Sequence, residues 1–202
     1  MQRQGLLIVI SGPSGAGKGT ICKALLQKNK DLKISVSCTT RSPREGEREG
    51  INYYFVSKEK FEDMIEKNEF LEYATVYGNY YGTPRKYVEE ELKKGNDVIL
   101  EIDIQGALMV KERYPEGVFI FILPPSMEEL KNRIIKRGSE TEDSLNTRFT
   151  AAFEEIKYMS KYDYAVVNDY VDEAVKKIEC IIVAEKCKCN RMLRAGYFEQ
   201  EG

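Results

Sequence analysis

The chain has 202 residues, 42% of them hydrophobic and 32% charged, with a formal net charge of −2. That length and composition fit one well-buried core and exclude a disordered or fibrous chain, so a single domain over residues 1–202, with room for inserted subdomains, is expected. The near-neutral balance excludes a general nucleic-acid binder, which needs a net basic face, so any anion site is local.

Histidine is absent from the whole chain. This removes Ser-His-Asp and Cys-His nucleophile pairs, His-Glu-x-x-His metalloproteases and histidine general bases, leaving Lys, Arg, carboxylates, hydroxyls and backbone for any chemistry. The five cysteines, Cys22, Cys38, Cys180, Cys187 and Cys189, form no regular framework and read as free thiols of a reducing compartment. Cys187-x-Cys189 lacks a second pair or a histidine to complete a metal site and reads as incidental.

In chain order, the first element is an apolar run, Leu6 to Ile10. It is too short for a secretory signal core or a membrane span, so a cytoplasmic location without membrane contact is expected. GPSGAGKGT, Gly12 to Thr20, follows at once and leads into an amphipathic helix. Gly12-x-x-x-x-Gly17-Lys18 between strand and helix is the pattern of a phosphate-binding loop. Its glycines open backbone conformations closed to other residues, its N–H groups point inward at phosphate oxygens, and the next helix adds its dipole. Lys18 is expected at the β and γ phosphates, and Thr20 is the nearest hydroxyl for Mg2+. Gly19 stands where the general motif has Ser or Thr.

From about 35 to 95 the rhythm changes to SVSCTTRSPREGEREGINYYFV and EFLEYATVYGNYYGTP, rich in tyrosine, arginine and turn residues. This reads as an inserted, partly antiparallel lobe with Gly78-Asn79 as its hairpin turn. Arg41 and Arg44, flanking Pro43, could converge two guanidinium forks on one phosphate dianion, or stand as two exposed arginines on a solvated loop. Taken alone, Glu72 reads as a solvated strand carboxylate and Tyr77, Tyr80 and Tyr81 as packing.

GTPRKYVEEELKKG predicts a helix with Thr83 as N-cap, Pro84 at its first position, Lys93 and Lys94 near its end and Gly95 just beyond. The strand DVILEI, 97–102, brings Glu101 and Asp103 to its C-terminal end, where an open parallel sheet places ligand-binding residues. A lone acid there is also a common helix-start residue. VFIFIL, 118–123, is the next strand, and Ser126 with Glu129 forms a capping box for a helix closing at Gly138. RGSETEDS, 137–144, sits between two helices and is a lid candidate. YAVVN, 164–168, is a fourth strand, and a helix near 171–186 carries Val171, Ala174, Val175, Ile178, Ile181 and Ile182 on one core-facing stripe. The tail CKCNRMLRAGYFEQEG matches no pattern and reads as a frayed helix end or a subunit contact. Strands alternating with helices predict a parallel sheet flanked by helices.

Seven stretches, GPSGAGKGT, SVSCTTRSPREGE, GINYYFVS, EFLEYATVYGNYYGTP, ILEIDIQGA, KRGSETEDSLNTRF and VVND, run in the order of the guanylate kinase family over about residues 5–186. The chain resembles that family, P-loop nucleoside monophosphate kinases that move a phosphoryl group from ATP to GMP. The resemblance implies an α/β fold: a P-loop NTPase-type parallel sheet flanked by helices, an inserted mixed α/β lobe for GMP at about 35–95 and a small lid at about 137–148. It implies ATP binding by Gly12, Pro13, Ser14, Gly15, Ala16, Gly17, Lys18, Gly19 and Thr20, with Asn168 and Asp169 near the adenine. It puts Arg41, Arg44, Tyr53 and Tyr81 on the GMP phosphate, Ser37, Glu72 and Thr83 on the guanine base, and Glu101 and Asp103 beside the acceptor nucleotide and metal. Arg137 and Arg148 match the lid arginines that meet the ATP phosphates; Arg133 either joins them or pairs with Glu129. The catalytic charges would be Lys18, Arg41, Arg137 and Arg148 with Mg2+.

The base reading also makes chemical sense by itself. Guanine presents N1–H and N2 amino donors side by side and one carboxylate can accept both, whereas adenine would leave a buried Glu72 largely unpaired. The implied substrates are ATP and GMP, with dGMP a further acceptor to test; no nucleic acid or membrane partner is expected, and homo-oligomerisation is left open. The alternatives are a catalytically inactive guanylate-kinase-like protein-binding module, which typically lacks a working phosphate loop, and a kinase for another nucleotide, which Ser37 and Glu72 disfavour.

Overall fold

The computed structural model describes residues 4–76, 78–136 and 142–194, without the side chains of 142–148 and of Arg194. In chain order the elements are β1 (Leu7–Ser11), α1 (Lys18–Lys28), β2 (Lys33–Ile34), β3 (Cys38–Thr39), β4 (Tyr54–Phe55), α2 (Lys58–Glu66), β5 (Phe70–Val76), β6 (Asn79–Pro84) and α3 (Arg85–Lys93). There follow β7 (Val98–Glu101), α4 (Ile104–Arg113), β8 (Val118–Leu123), α5 (Met127–Lys136), α6 (Glu142–Ile156), a 3-10 turn (Lys157–Lys161), β9 (Tyr164–Val167), α7 (Val171–Lys186) and α8 (Cys189–Arg194). Among the described residues no helix is long and apolar enough to cross a membrane.

The larger sheet has five parallel strands in the order β2-β7-β1-β8-β9. Successive side chains of a strand point to opposite faces, so a continuous apolar run predicts burial on both sides. β1 meets that requirement. Leu6, Ile8 and Ile10 pack with Ile21 and Leu25 of α1 and with Ala174, Ile178 and Ile182 of α7. Leu7 and Val9 pack on the other face with Val88 and Leu92 of α3 and Ala107 and Val110 of α4. The stripe expected on 171–186 is the buried face of α7, with Val171 and Ile181 at its margin.

The second sheet has four strands in the order β4-β3-β6-β5, with β3 parallel to β4 and antiparallel to β6, and β5 antiparallel to β6. It has its own small core of stacked rings, Phe61 on Phe70 at 4.3 Å and Phe61 on Tyr80 at 5.1 Å. Leu71 of β5 reaches the core under the parallel sheet and ties the two layers together. The hairpin turn falls one residue before the expected Gly78-Asn79: Asn79 already pairs with Val76, and Gly78, at φ 78°, takes the left-handed conformation. Tyr77 lies outside the described residues.

Two helix starts differ from the sequence reading. Pro84, not Thr83, is the N-cap of α3, because the Thr83 hydroxyl is engaged inside the sheet. The box at Ser126 is half formed. Ser126 Oγ accepts from Glu129 N at 3.1 Å, while the Glu129 carboxylate turns to Arg133 Nε at 2.8 Å. Gly138 and the rest of 137–141 lie outside the described residues. All five thiols are free, with Cys187 capping the end of α7 and Cys189 opening α8.

Candidate active site

The loop after β1 is built by glycine at its two motif ends. Gly12 sits at φ 141°, and a Cβ there would lie 2.3 Å from Ile122 O on the neighbouring strand. Gly17 sits at φ 90° as the N-cap of α1, and a Cβ there would lie 2.3 Å from Asn168 Nδ2. The N-terminus of α1 has no side-chain cap and no acid in its first turn. The first-turn amides of a helix lack intrahelical acceptors, so this end suits a bound anion. Lys18 curls back over the loop, its Nζ donating to Gly12 O at 2.5 Å and Pro13 O at 3.3 Å.

Beneath the loop, Asn168 is buried and its Nδ2 donates to Ala16 O at 2.8 Å. Asn168, expected near the adenine, holds the loop from below, and Asp169 is exposed. Of the two readings of Arg133, the pairing with Glu129 is present. Its Nε pairs with Glu129 and its Nη2 donates to Asn168 O at 3.1 Å, which brings Nη1 to 4.0 Å from where a Gly17 Cβ would stand.

In front of the loop opens a cleft of about 260 Å³. One wall is the loop itself, through Gly12, Ser14, Gly15, Gly17, Lys18 and Gly19. The facing wall comes from the second sheet and its loops, through Ser37, Arg44, Tyr53, Glu72 and Tyr81. Glu101, Asp103 and Glu155 join the two. Pro13, Ala16, Thr20, Arg41, Thr83 and Asn168 are outside this lining, and Thr20 is exposed on α1. Glu101 explains the glycine after Lys18: a Cβ at Gly19 would stand 3.3 Å from Glu101 Oε1. Arg137 lies outside the described residues, as does the side chain of Arg148 on α6.

Arg41 stands behind the facing wall and organises it. Its Nε donates to Tyr81 Oη at 3.2 Å, its Nη1 to Ser42 O at 2.6 Å and its Nη2 to both oxygens of Glu47. Its guanidinium lies 5.6 Å over the ring of Tyr53, whose edge meets Tyr81 at 5.8 Å. Burial, then the charge of Glu101, pushes the Tyr53 phenol up to about 12, so it stays a proton donor at neutral pH. Arg44 is exposed at the rim, and its backbone N–H is fixed by Glu47 Oε2 at 2.8 Å.

Glu72 is 3% exposed. A bulge between Phe70 and Glu72 turns it out of the strand's alternation, and Arg113 takes the adjacent Leu71 O at 2.6 Å. Across the pair, Thr83 donates its hydroxyl to Glu72 Oε1 at 2.6 Å. Burial raises the Glu72 carboxyl to about 7, against the pull of the Thr83 hydroxyl and with a push from Asp103. Asp103 itself caps α4, its Oδ1 accepting from Gly106 N at 2.8 Å. The helix-start role considered for these two acids therefore falls to Asp103, and Glu101 keeps its carboxylate in the cleft.

Three contributors escaped the sequence reading: Glu47, Glu155 and Gly106. Glu47 sits in the quoted PREGE turn and its N–H bonds back to Arg44 O, a turn signal that was readable. Glu155 comes from α6 to the loop, where burial raises its carboxyl while Lys18 and the Ser14 N–H draw it down. Nothing local marks it.

A second, larger cavity of about 430 Å³ opens at the other end of the parallel strands, near Gly5, Asp97 and Gly117. Its cations are already engaged, Lys186 with Asp97, Arg113 with Leu71 O and Arg191 with Glu185 and Glu116 O. Size alone does not make it the site: open parallel sheets bind ligands at the C-terminal strand ends, where the glycine loop lies.

Residues 4–185 match the model of a protein family described as guanylate kinase. A guanylate kinase of Clostridium tetani is 68% identical over 98% of this chain and 95% of its own length. One from Caldanaerobacter subterraneus is 65% identical over 95% of this chain and 93% of its own. Among solved structures, the guanylate kinase of Anaplasma phagocytophilum superposes with a TM-score of 0.80 at 38% identity, covering 95% of this chain and 91% of that one. The chain belongs to the guanylate kinase family.

Proposed function

We propose that this chain works as an ATP:GMP phosphotransferase in the cleft between the glycine loop and the second sheet, within one domain whose second sheet is the acceptor lobe and whose 137–148 segment is the lid. The bond between the γ-phosphorus and the β–γ bridging oxygen of ATP breaks, and a bond forms between that phosphorus and an oxygen of the GMP phosphate, giving ADP and GDP. The acceptor oxygen is already anionic, so no strong base is needed, in keeping with a chain without histidine. What remains is to align two polyanions and neutralise the charge spreading over the transferring group.

The residues divide that work. The loop and the start of α1 hold the ATP phosphates, with Lys18 leaving its loop carbonyls to follow the γ-phosphoryl group. Arg44, Tyr53 and Tyr81, backed by Arg41, hold the GMP phosphate with two cations and two phenolic donors. Glu72, aided by Ser37 and steadied by Thr83, accepts the N1–H and N2–H donors of guanine. Arg137 and Arg148 close over the phosphates from the lid and exclude water. Mg2+ arrives with ATP as part of the substrate. Such an ion keeps several waters and takes few protein oxygens, and Glu101 and Asp103 supply hard donors of that kind beside the loop; Thr20 is placed less directly.

The observation that carries this reading is the buried Glu72 facing a phosphate-binding loop across one cleft. A coupled assay of ADP formation with GMP, dGMP, AMP and UMP as acceptors tests it. Turnover with GMP far above AMP and UMP is expected. No turnover with any acceptor supports the inactive binding module, and a preference for AMP removes Glu72 as base reader.

A further inference from the structure

We propose that Gly106 is a specificity-determining residue: the missing side chain in the first turn of α4 gives the Glu72 carboxylate the place from which it reads guanine. This rests on the assignment of Glu72 as the base reader. A Cβ at Gly106 would stand 2.5 Å from Glu72 Oε2 and 3.0 Å from Cδ, both inside van der Waals contact. The other carboxylate oxygen is tied to Thr83 at 2.6 Å, so Glu72 is clasped between β6 and the first turn of α4.

No local backbone demand calls for glycine here. Gly106 is absent from the glycines with positive φ and lies within a regular helix, where alanine is preferred by about 1 kcal/mol. Its N–H is engaged by Asp103 whatever the side chain. Outside the helix itself, the three atoms nearest a Cβ at this position all belong to Glu72: Oε2, Cδ and Cγ. The displaced group is the end of a flexible side chain rather than backbone, so the fold survives an added methyl while the carboxylate moves. A carboxylate reading two adjacent donors tolerates little displacement, because both hydrogen bonds depend on its plane and distance.

The test compares G106A, E72Q, the double variant and Q105A, a change at the exposed neighbour on the same turn. Each is measured for kcat/KM with GMP and with IMP, which lacks the 2-amino group, for KM of ATP, and for thermal midpoint. G106A is expected to lower the GMP:IMP ratio at least tenfold, with KM for ATP within twofold and a thermal midpoint equal or higher. Q105A leaves the ratio unchanged. In the double variant G106A adds no loss beyond E72Q, since both act through one carboxylate. An unchanged ratio in G106A, a G106A chain that does not fold, or additive losses in the double variant overturns the role of Gly106. An unchanged ratio in E72Q overturns the base reader itself and is told apart by that variant alone.

Discussion

Nη2 of Arg41 donates to both carboxylate oxygens of Glu47, at 2.9 and 3.0 Å, and the same carboxylate fixes the N–H of Arg44. The two side chains are only 15% and 18% exposed. Burial alone would raise the Glu47 carboxyl, but the Arg44 N–H and the Arg41 guanidinium hold it below the usual range. Glu47 thus orders both arginines proposed to serve the GMP phosphate. E47A is expected to raise KM for GMP about tenfold, the worth of one charge-assisted hydrogen bond, while leaving guanosine binding and KM for ATP nearly unchanged. Tighter GMP binding in E47A would mean that the carboxylate merely competes with the phosphate.

Glu72 carries a pH signature. Its carboxyl is raised to about 7 by burial, and the groups facing it are Thr83 on β6 and Asp103 and Arg113 on α4. Guanine needs the ionised form, so GMP affinity is expected to fall as pH drops below 7, approaching tenfold per unit. T83V removes a hydroxyl that favours ionisation and moves this midpoint upward. Titrations of KM for GMP between pH 5.5 and 8.5 read both effects.

The same group costs stability. A carboxyl with a raised folded-state pKa binds more protons folded than unfolded between about 4.5 and 7, so its contribution declines as pH climbs through that window. E72Q removes the ionisation and keeps an acceptor for Thr83. It is expected to be more stable than the parent at pH 8 by roughly 1–3 kcal/mol, several degrees in thermal midpoint, while losing GMP affinity. A lower midpoint at pH 8 would contradict the burial argument.

The loop is held from two directions, and the two separate by experiment. K18A removes a charge that donates to the loop carbonyls of Gly12 and Pro13, and turnover is expected to fall at least 100-fold with the melting curve intact. N168A leaves Ala16 O without its buried donor. It is expected to cost about 1–3 kcal/mol of stability and to raise KM for ATP without changing that for GMP. Equal effects on both nucleotides would place Asn168 elsewhere in the mechanism.

What the sequence discloses is what is local. The apolar run into Gly12 and Gly17, the stripe of α7 and the close of α3 at Gly95 each lie within one stretch of chain, and each is found in place. The two-residue β2 is too short to leave a period. Thr83 was misplaced as a cap because its hydroxyl answers to Glu72 across a strand pair, which the helix pattern cannot register. Asn168 and Ala16 are 152 positions apart, and Gly106 meets Glu72 only because β5 packs beside α4. The family resemblance pointed to Arg41, Arg44, Tyr53 and Tyr81, which the structure gathers at the cleft or behind it, whereas Glu47, which fixes both arginines, lay in the same stretch with only a turn signal to mark it.

The central claim is that a buried carboxylate facing the glycine loop selects guanine. The most direct measurement is a calorimetric titration of the free chain at pH 8 with GMP and, separately, with AMP. One GMP per chain, with AMP binding at least 100-fold weaker and the difference lost in E72Q, is the expected result. No GMP binding by folded protein, or equal affinity for the two nucleotides, would contradict it.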